Sequence, residues 1–183
     1  DPDTSRRQAA ACQAKGVGYL DAPVLGRPAG VGKWCLPVGG RAEDLAKAKP
    51  VLEKLAARLP HVGAAGAGNA IKLLNNLMFS AINTMCAEIM AIAGHVGVEP
   101  KLLYETITAS QAATVSNLFI ELGKNIVADQ YDDATFTVDL LSKDVRLAIQ
   151  MASEHGAPPV LARTIQAITE LAQVQGYGAK DTA

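Results

Sequence analysis

A run of small residues, Gly63-Ala64-Ala65-Gly66-Ala67-Gly68, opens directly onto an apolar helical pattern that continues from Asn69 to about Val96. Roughly 28 residues at 1.5 Å rise make a rod of about 40 Å. That exceeds the usual globular helix of about 8–20 residues, so whatever follows Gly63 has to be built around this rod. The remaining segments are helical in pattern as well. Pro100 sits near the start of one helix, Ser116 to Ala128 outline a second and Val138 to Glu154 a third, and Pro158-Pro159 break the chain before a last helix from Val160 to about Gln175. Residues 63–183 therefore read as an all-α domain built on one long helix.

Ahead of the rod the pattern is different. Asp3, Thr4 or Ser5 can cap a short helix through Arg6, Ala10 and Gln13 that Gly16 stops. The apolar run Val17 to Val24 is bounded by Gly and Pro as a buried strand would be, and a loop spans Gly26 to Gly30. Trp34 to Val38 reads as a second strand, made an edge or an irregular one by Pro37. Gly39-Gly40 turn into a helix from Glu43 to Arg58, with Leu45, Ala48, Leu52, Leu55 and Ala56 at helical spacing, and Pro60-His61-Val62 form a last strand. Residues 1–62 are thus an α-β-β-α-β unit, and the chain divides at 62/63.

Composition closes off several kinds of protein. Of the 183 residues 49% are hydrophobic and 19% charged, which excludes a disordered chain. The 17 Lys and Arg are balanced by 18 Asp and Glu, too little excess base for a phosphate-tracking nucleic-acid binder. The few aromatic residues (4%) make no base-stacking platform. The most apolar stretch, Leu73 to Ala93, is interrupted by Asn75, Asn76, Asn83 and Glu88, so no apolar run of the ~18–20 residues that a bilayer requires is expected. Cys12, Cys35 and Cys86 are odd in number and lack the CxxC spacing, so they are expected to be buried thiols of a reducing, cytoplasmic compartment, with no metal bound. His61, His95 and His155 have no ligand spacing among them and read as structural or exposed, and Glu88 as a solvated or interface charge.

The glycines invite a test for nucleotide binding. Neither Gly66-Ala67-Gly68 nor Gly16-Val17-Gly18 supplies the third glycine of GxGxxG, and Gly32-Lys33 is followed by Trp34 where a phosphate-cradling loop needs Ser or Thr. What remains is Gly63-x-x-Gly66-x-Gly68-x-x-x-Lys72-x-x-x-Asn76. Lys72 and Asn76 are four apart, so they share one face of the rod. Lys72 lies close to the helix N-terminus, whose positive end disfavours a second cation and so lowers the proton affinity of the amine. To act as an acid/base near neutral pH, a lysine free at about 10.4 has to fall by about three units, or roughly 4 kcal/mol.

Asp21-Ala22-Pro23-Val24, Gly39-Gly40, the Gly63 to Asn76 run and Lys143-Asp144, in that order, resemble the β-hydroxyacid dehydrogenases, which include 3-hydroxyisobutyrate dehydrogenase and the tartronate and succinic semialdehyde reductases. The likeness covers essentially the whole chain. It implies that residues 1–62 are the C-terminal part of a Rossmann-type domain whose first part, with the dinucleotide fingerprint, is missing. It also implies NAD or NADP as cofactor, a small carboxylate substrate, and a homodimer or homotetramer formed through the helical domain. In the resemblance Lys72 is the general acid/base, Asn76 holds the substrate, Lys143 lies beside the cofactor, and Phe136 and Asp144 line or support the site. The family's Ser-Gly-Gly after D-A-P-V is here Leu25-Gly26-Arg27. The hydroxyl is gone, which leaves the Gly26 backbone N–H and the Arg27 guanidinium for the substrate carboxylate. The tail Gly176-Tyr177-Gly178 with Asp181 resembles the family's closing segment and is expected to be exposed.

The competing reading is a non-catalytic helical dimerisation or interaction module, for which Ala-rich helices and a long spine serve equally well. Retention of Lys72 together with Asn76 and Lys143 favours the enzyme. Imine reductases, similar to this family, usually lack the lysine, so Lys72 argues against imine reduction.

Overall fold

The structure is a computed structural model that describes residues 1–183 except 111–113 and 115. It divides into two compact units, Asp1–Asn75 and Asn76–Ala183, the boundary falling within one long helix.

In the first unit α1 (Pro2–Gln13) starts with Pro at its first position, and the Asp1 carboxylate accepts the Thr4 N–H at 2.9 Å. Three short strands form one sheet in the order β1–β3–β5: β1 (Leu20–Asp21) lies antiparallel to β3 (Val38–Gly40), which lies parallel to β5 (His61–Gly63). A second, two-stranded sheet pairs β2 (Trp34–Cys35) with β4 (Ala56–Arg58) in parallel. The helix α2 (Ala42–Leu52) precedes β4.

Three expectations change here. The strand expected over Trp34 to Val38 is two strands in two sheets, either side of Leu36 and Pro37: Leu36 donates to Arg58 O and Val38 to Pro60 O, Pro37 has no N–H to give, and the register shifts at Trp34/Cys35 and again at Val38/Gly39. The helix expected from Glu43 to Arg58 stops at Leu52, two residues after Pro50. Ala56 then leaves the helical period for a strand, where it is buried with Leu36 and Val38 under Leu20, Val24, Trp34, Leu45 and Leu52. The strand expected over Val17 to Val24 pairs only at Leu20–Asp21.

At the start of α2, Arg41 grips the buried Asp44 with two bonds, Nε to Oδ2 at 2.8 Å and a terminal nitrogen to Oδ1 at 3.1 Å. The hydrogen bond from Arg41, helped by its charge, holds the Asp44 carboxyl below its ordinary value. A carboxyl lowered on folding adds stability above its unfolded pKa of about 3.9 and loses it as the pH falls through the lower folded value. The first unit is therefore expected to weaken only below about pH 4, and Arg41→Ala to flatten that acid limb, as read by fluorescence of Trp34, the one tryptophan of the chain.

The second unit holds most of α3 (Ala67–His95), with α4 (Pro100–Ser110), α5 (Asn117–Val127), α6 (Val138–Glu154) and α7 (Val160–Val174). The expected helices are found within a residue or two of their limits because local chemistry sets them. Ser116 Oγ accepts the Phe119 N–H, and Thr137 Oγ1 accepts the Leu140 N–H. Leu141, Val145 and Ile149 of α6 pack on Ala162 and Ile165 of α7, and Cys86 and Met90 of α3 pack on Phe119 and Leu122 of α5. The tail is exposed at Gly176 and Tyr177, as expected, but not at its end. Asp181 and Thr182 are buried, Asp181 Oδ2 accepts the Thr135 N–H, and Lys180 O accepts the Val138 N–H. Of the three cysteines only Cys86 is buried, and burial pushes its thiol up; Cys12 and Cys35 are half-buried.

The polarity of α3 is inverted relative to that of a helix on a wet surface. Asn76, Ser80 and Asn83 are buried, whereas Met78 (62% exposed), Met85 (56%) and Ile92 (51%), seven residues apart, face out. Of the amides expected to interrupt the apolar run, Asn76 and Asn83 are turned inward, whereas Asn75 is exposed. By length and composition alone α3 is, contrary to expectation, long and apolar enough to cross a membrane.

Candidate active site

Lys72 stands on the second turn of α3, half-buried, and Asn76 follows one turn later on the same face. Asn76, 7% exposed, donates from Nδ2 to Asp144 Oδ2 at 2.6 Å, and Asp144 Oδ1 accepts the Lys143 ammonium at 3.1 Å. An ionised carboxylate only accepts, so the NH2 side of the Asn76 amide must face Asp144, and this fixes which way the amide points. Phe136, at the entry to α6, stands edge-on to Phe79 of α3 with ring centroids 5.5 Å apart. In the second unit, therefore, α3 and α6 bring Asn76, Lys143 and Asp144 into one hydrogen-bonded chain, and the ring contact joins the same two segments.

In the first unit the two residues expected at the substrate carboxylate sit on a loop braced by Trp34. Arg27 O accepts the indole N–H at 2.7 Å, and a Cβ on Gly26 would lie 2.5 Å from the indole Cδ1. Gly26 also has φ +149, a conformation that side chains rarely adopt, so a glycine here is explained by the backbone alone. Arg27 is exposed at the start of a 3₁₀ turn, Pro28–Gly30.

The start of α3 has a partner that the sequence does not announce. Asp21, 4% exposed on β1, accepts the Gly66 N–H at Oδ1 (2.7 Å) and the Asn69 N–H at Oδ2 (2.8 Å). These amides are what a helix N-terminus would otherwise offer a phosphate. The glycine-led helix start is thus filled by the chain's own carboxylate, and a dinucleotide pyrophosphate does not fit there. A separate groove of about 1170 Å³ in the second unit, lined by Asn83, Glu88, Met90, Ile126, Leu141 and Thr169 among others, includes none of the expected site residues. Asn83 Nδ2 is buried beside it without a hydrogen-bond partner among the described residues.

Comparison with known proteins gives this arrangement its family. Residues 66–183 match the family described as the NAD-binding domain of NADP-dependent 3-hydroxyisobutyrate dehydrogenase, and residues 1–63 match the NAD binding domain of 6-phosphogluconate dehydrogenase. The chain belongs to the β-hydroxyacid dehydrogenase family, with NAD or NADP as the family's cofactor. It is 32% identical to an NAD-dependent L-serine dehydrogenase of Pseudomonas aeruginosa, over 98% of this chain and 62% of that protein. The structure superposes on 3-hydroxyisobutyrate dehydrogenase from Salmonella typhimurium with a TM-score of 0.90 at 28% identity, covering 100% of this chain and 64% of that one. The Mycobacterium tuberculosis 3-hydroxyisobutyrate dehydrogenase, solved with L-serine, gives a TM-score of 0.83 at 26% identity, covering 100% of this chain and 64% of that one. The chain thus spans under two thirds of the length of these relatives. The small α/β unit followed by helices around one long spine is the Rossmann-like and helical architecture of these enzymes.

Proposed function

We propose that these residues belong to an NAD(P)-dependent dehydrogenase that interconverts a small β-hydroxyacid and its semialdehyde, with Lys72 as general acid/base. The observation that carries the reading is the pair Lys72 and Asn76 on one face of α3, with the Asn76 amide held in one orientation by Asp144. L-Serine, named with two of the relatives, is itself a β-hydroxyacid.

A nicotinamide, when bound, would supply the acceptor or donor of the hydride, and Lys143 and Phe136 are the residues that would hold it. The rest falls to the chain. On oxidation the neutral Lys72 amine takes the hydroxyl proton while the C–H electron pair leaves, so the C–O bond becomes C=O; on reduction the ammonium returns that proton to the developing alkoxide. Asn76 orients the substrate, and the Gly26 N–H and Arg27 hold its carboxylate. Asp144 keeps both Asn76 and Lys143 in place, and Lys143 would lie beside the cofactor.

The outward stripe of Met78, Met85 and Ile92 supports a homodimer or homotetramer formed through the helical unit. The chain carries no complete GxGxxG run, and Asp21 fills the start of α3. The 183-residue chain by itself is therefore expected to bind NAD and NADP weakly in calorimetry and to turn over slowly or not at all. Joined to a strand and glycine fingerprint, it is expected to reduce the nicotinamide with serine or 3-hydroxyisobutyrate. Absence of turnover by that longer protein with any small β-hydroxyacid overturns the reading.

A further inference from the structure

We propose that Asp21 is a positioning residue for Lys72: its buried carboxylate pins the start of α3, and the glycines at 39 and 68 are there to admit that carboxylate. The inference rests on the reading of Lys72 given above. It absorbs three sequence motifs that the proposed chemistry leaves without a task, D-A-P-V, Gly39-Gly40 and Gly63-x-x-Gly66-x-Gly68.

The geometry is a reciprocal cap supplied from another element. The first amides of a helix have no partners within it. Here the Gly66 and Asn69 amides go to the two oxygens of one carboxylate, the Ala67 amide goes to Ala64 O at 3.0 Å, and the Ala70 amide makes the first helical bond, to Gly66 O at 2.9 Å. Two amides three residues apart cannot both be held by a side chain unless the first turn is fully wound, so the clamp sets where the helix starts and how it is rotated. Lys72 comes three residues after Asn69, under one turn beyond the pinned amide, and its side chain inherits that setting. The negative charge also suits the positive end of the helix.

Gly39 and Gly68 are fitted to Asp21, and Gly66 to the start of α1. A Cβ on Gly39 would stand 2.4 Å from Asp21 Oδ1 and 2.8 Å from Ala64 O. One on Gly68 would stand 2.6 Å from Asp21 O and 3.0 Å from Asp21 Oδ2. Gly66 has φ +96, and a Cβ there would stand 2.8 Å from Pro2 O. The Asn69 side chain adds a tie from Nδ2 to Ser5 Oγ on α1 at 2.7 Å, so the same helix start is held from two elements.

The test compares Asp21→Ala, Asp21→Asn and Lys72→Ala in the active, dinucleotide-binding protein, with assays run well below each variant's melting point. Asp21→Ala is expected to speed hydrogen exchange at the Gly66 and Asn69 amides and to lower kcat about tenfold, a modest share of what misplacement of a reacting group can cost, with KM for the cofactor unchanged. Asp21→Asn has the same shape and keeps one acceptor oxygen. It is expected to fold and to recover part of the loss, which keeps the test open if the alanine variant does not fold. If Asp21→Asn and any folded Asp21→Ala lose only thermal stability and keep the wild-type kcat, Asp21 is structural and the proposal is overturned; unchanged exchange at both amides overturns it too. Normal turnover by Lys72→Ala sinks the acid/base reading, whereas an inactive Lys72→Ala beside fully active Asp21 variants sinks only the positioning role.

Discussion

Replacing Lys72 by alanine is expected to lower kcat by at least about 100-fold, the low end of what a positioned acid/base contributes. On the proposed reading the hydroxyl proton then loses its acceptor, and water has to take it. Lys72→Arg is the sharper control. A guanidinium keeps the positive charge and much of the length but gives up no proton below a pH of about 12. If Lys72 acts only by attracting the substrate's carboxylate, arginine restores the rate; if it moves a proton, arginine stays as slow as alanine. Steady-state kcat and KM for both variants decide the matter, and near-normal turnover by alanine rejects the assignment.

Gly68→Ala is expected to destabilise the first unit by about 3 kcal/mol, the upper part of the range for forcing an extra methyl into a packed site. Helix propensity alone predicts the opposite sign, since alanine is favoured over glycine in a helix by about 1 kcal/mol. Contact decides. The added carbon would lie 2.4 Å from Pro37 O and 2.6 Å from Asp21 O, and both are backbone carbonyls that no rotamer change can move aside. Gly94→Ala, in the same helix with nothing within 4 Å of its added carbon, isolates the propensity and is expected to stabilise by up to about 1 kcal/mol. Denaturant unfolding measures both, with Trp34 reporting on the first unit. A Gly68→Ala protein as stable as the parent would show that the start of α3 is not packed as described.

Local chemistry was readable from the chain, and distant pairing was not. Ser116, the apolar period from Val138 and the Pro158-Pro159 break mark helix limits within a few residues, so α5, α6 and α7 are legible nearly residue for residue. The small α/β unit was read less well. Pro37 was recognised as an irregularity, but not as the place where one strand becomes two, and Ala56 satisfied a helical period while its burial depended on a strand beside β2. The same divide runs through the candidate site. Lys72 and Asn76 are visible together because four residues of helix bring them to one face. The partner of Asn76, Asp144, is 68 residues away, and Asp21 is 45 and 48 residues from the two amides it holds. The resemblance supplied Asp144 as a member of the site and D-A-P-V as a signature, but neither spacing nor periodicity could tell that the aspartate's work is done at the start of another element.

The inward amides and outward thioethers of α3 decide how this protein meets its solvent. With a formal net charge of −1 there is little mutual repulsion to keep copies apart, which gives weight to exposed apolar surface such as the strip carrying Met78, Met85 and Ile92. Two of those three anchors are sulfur-bearing, and peroxide would convert them to sulfoxides. Mild oxidant would thus make the adhesive side of the rod wettable from outside, while Lys72 and the amide-lined interior kept their chemistry.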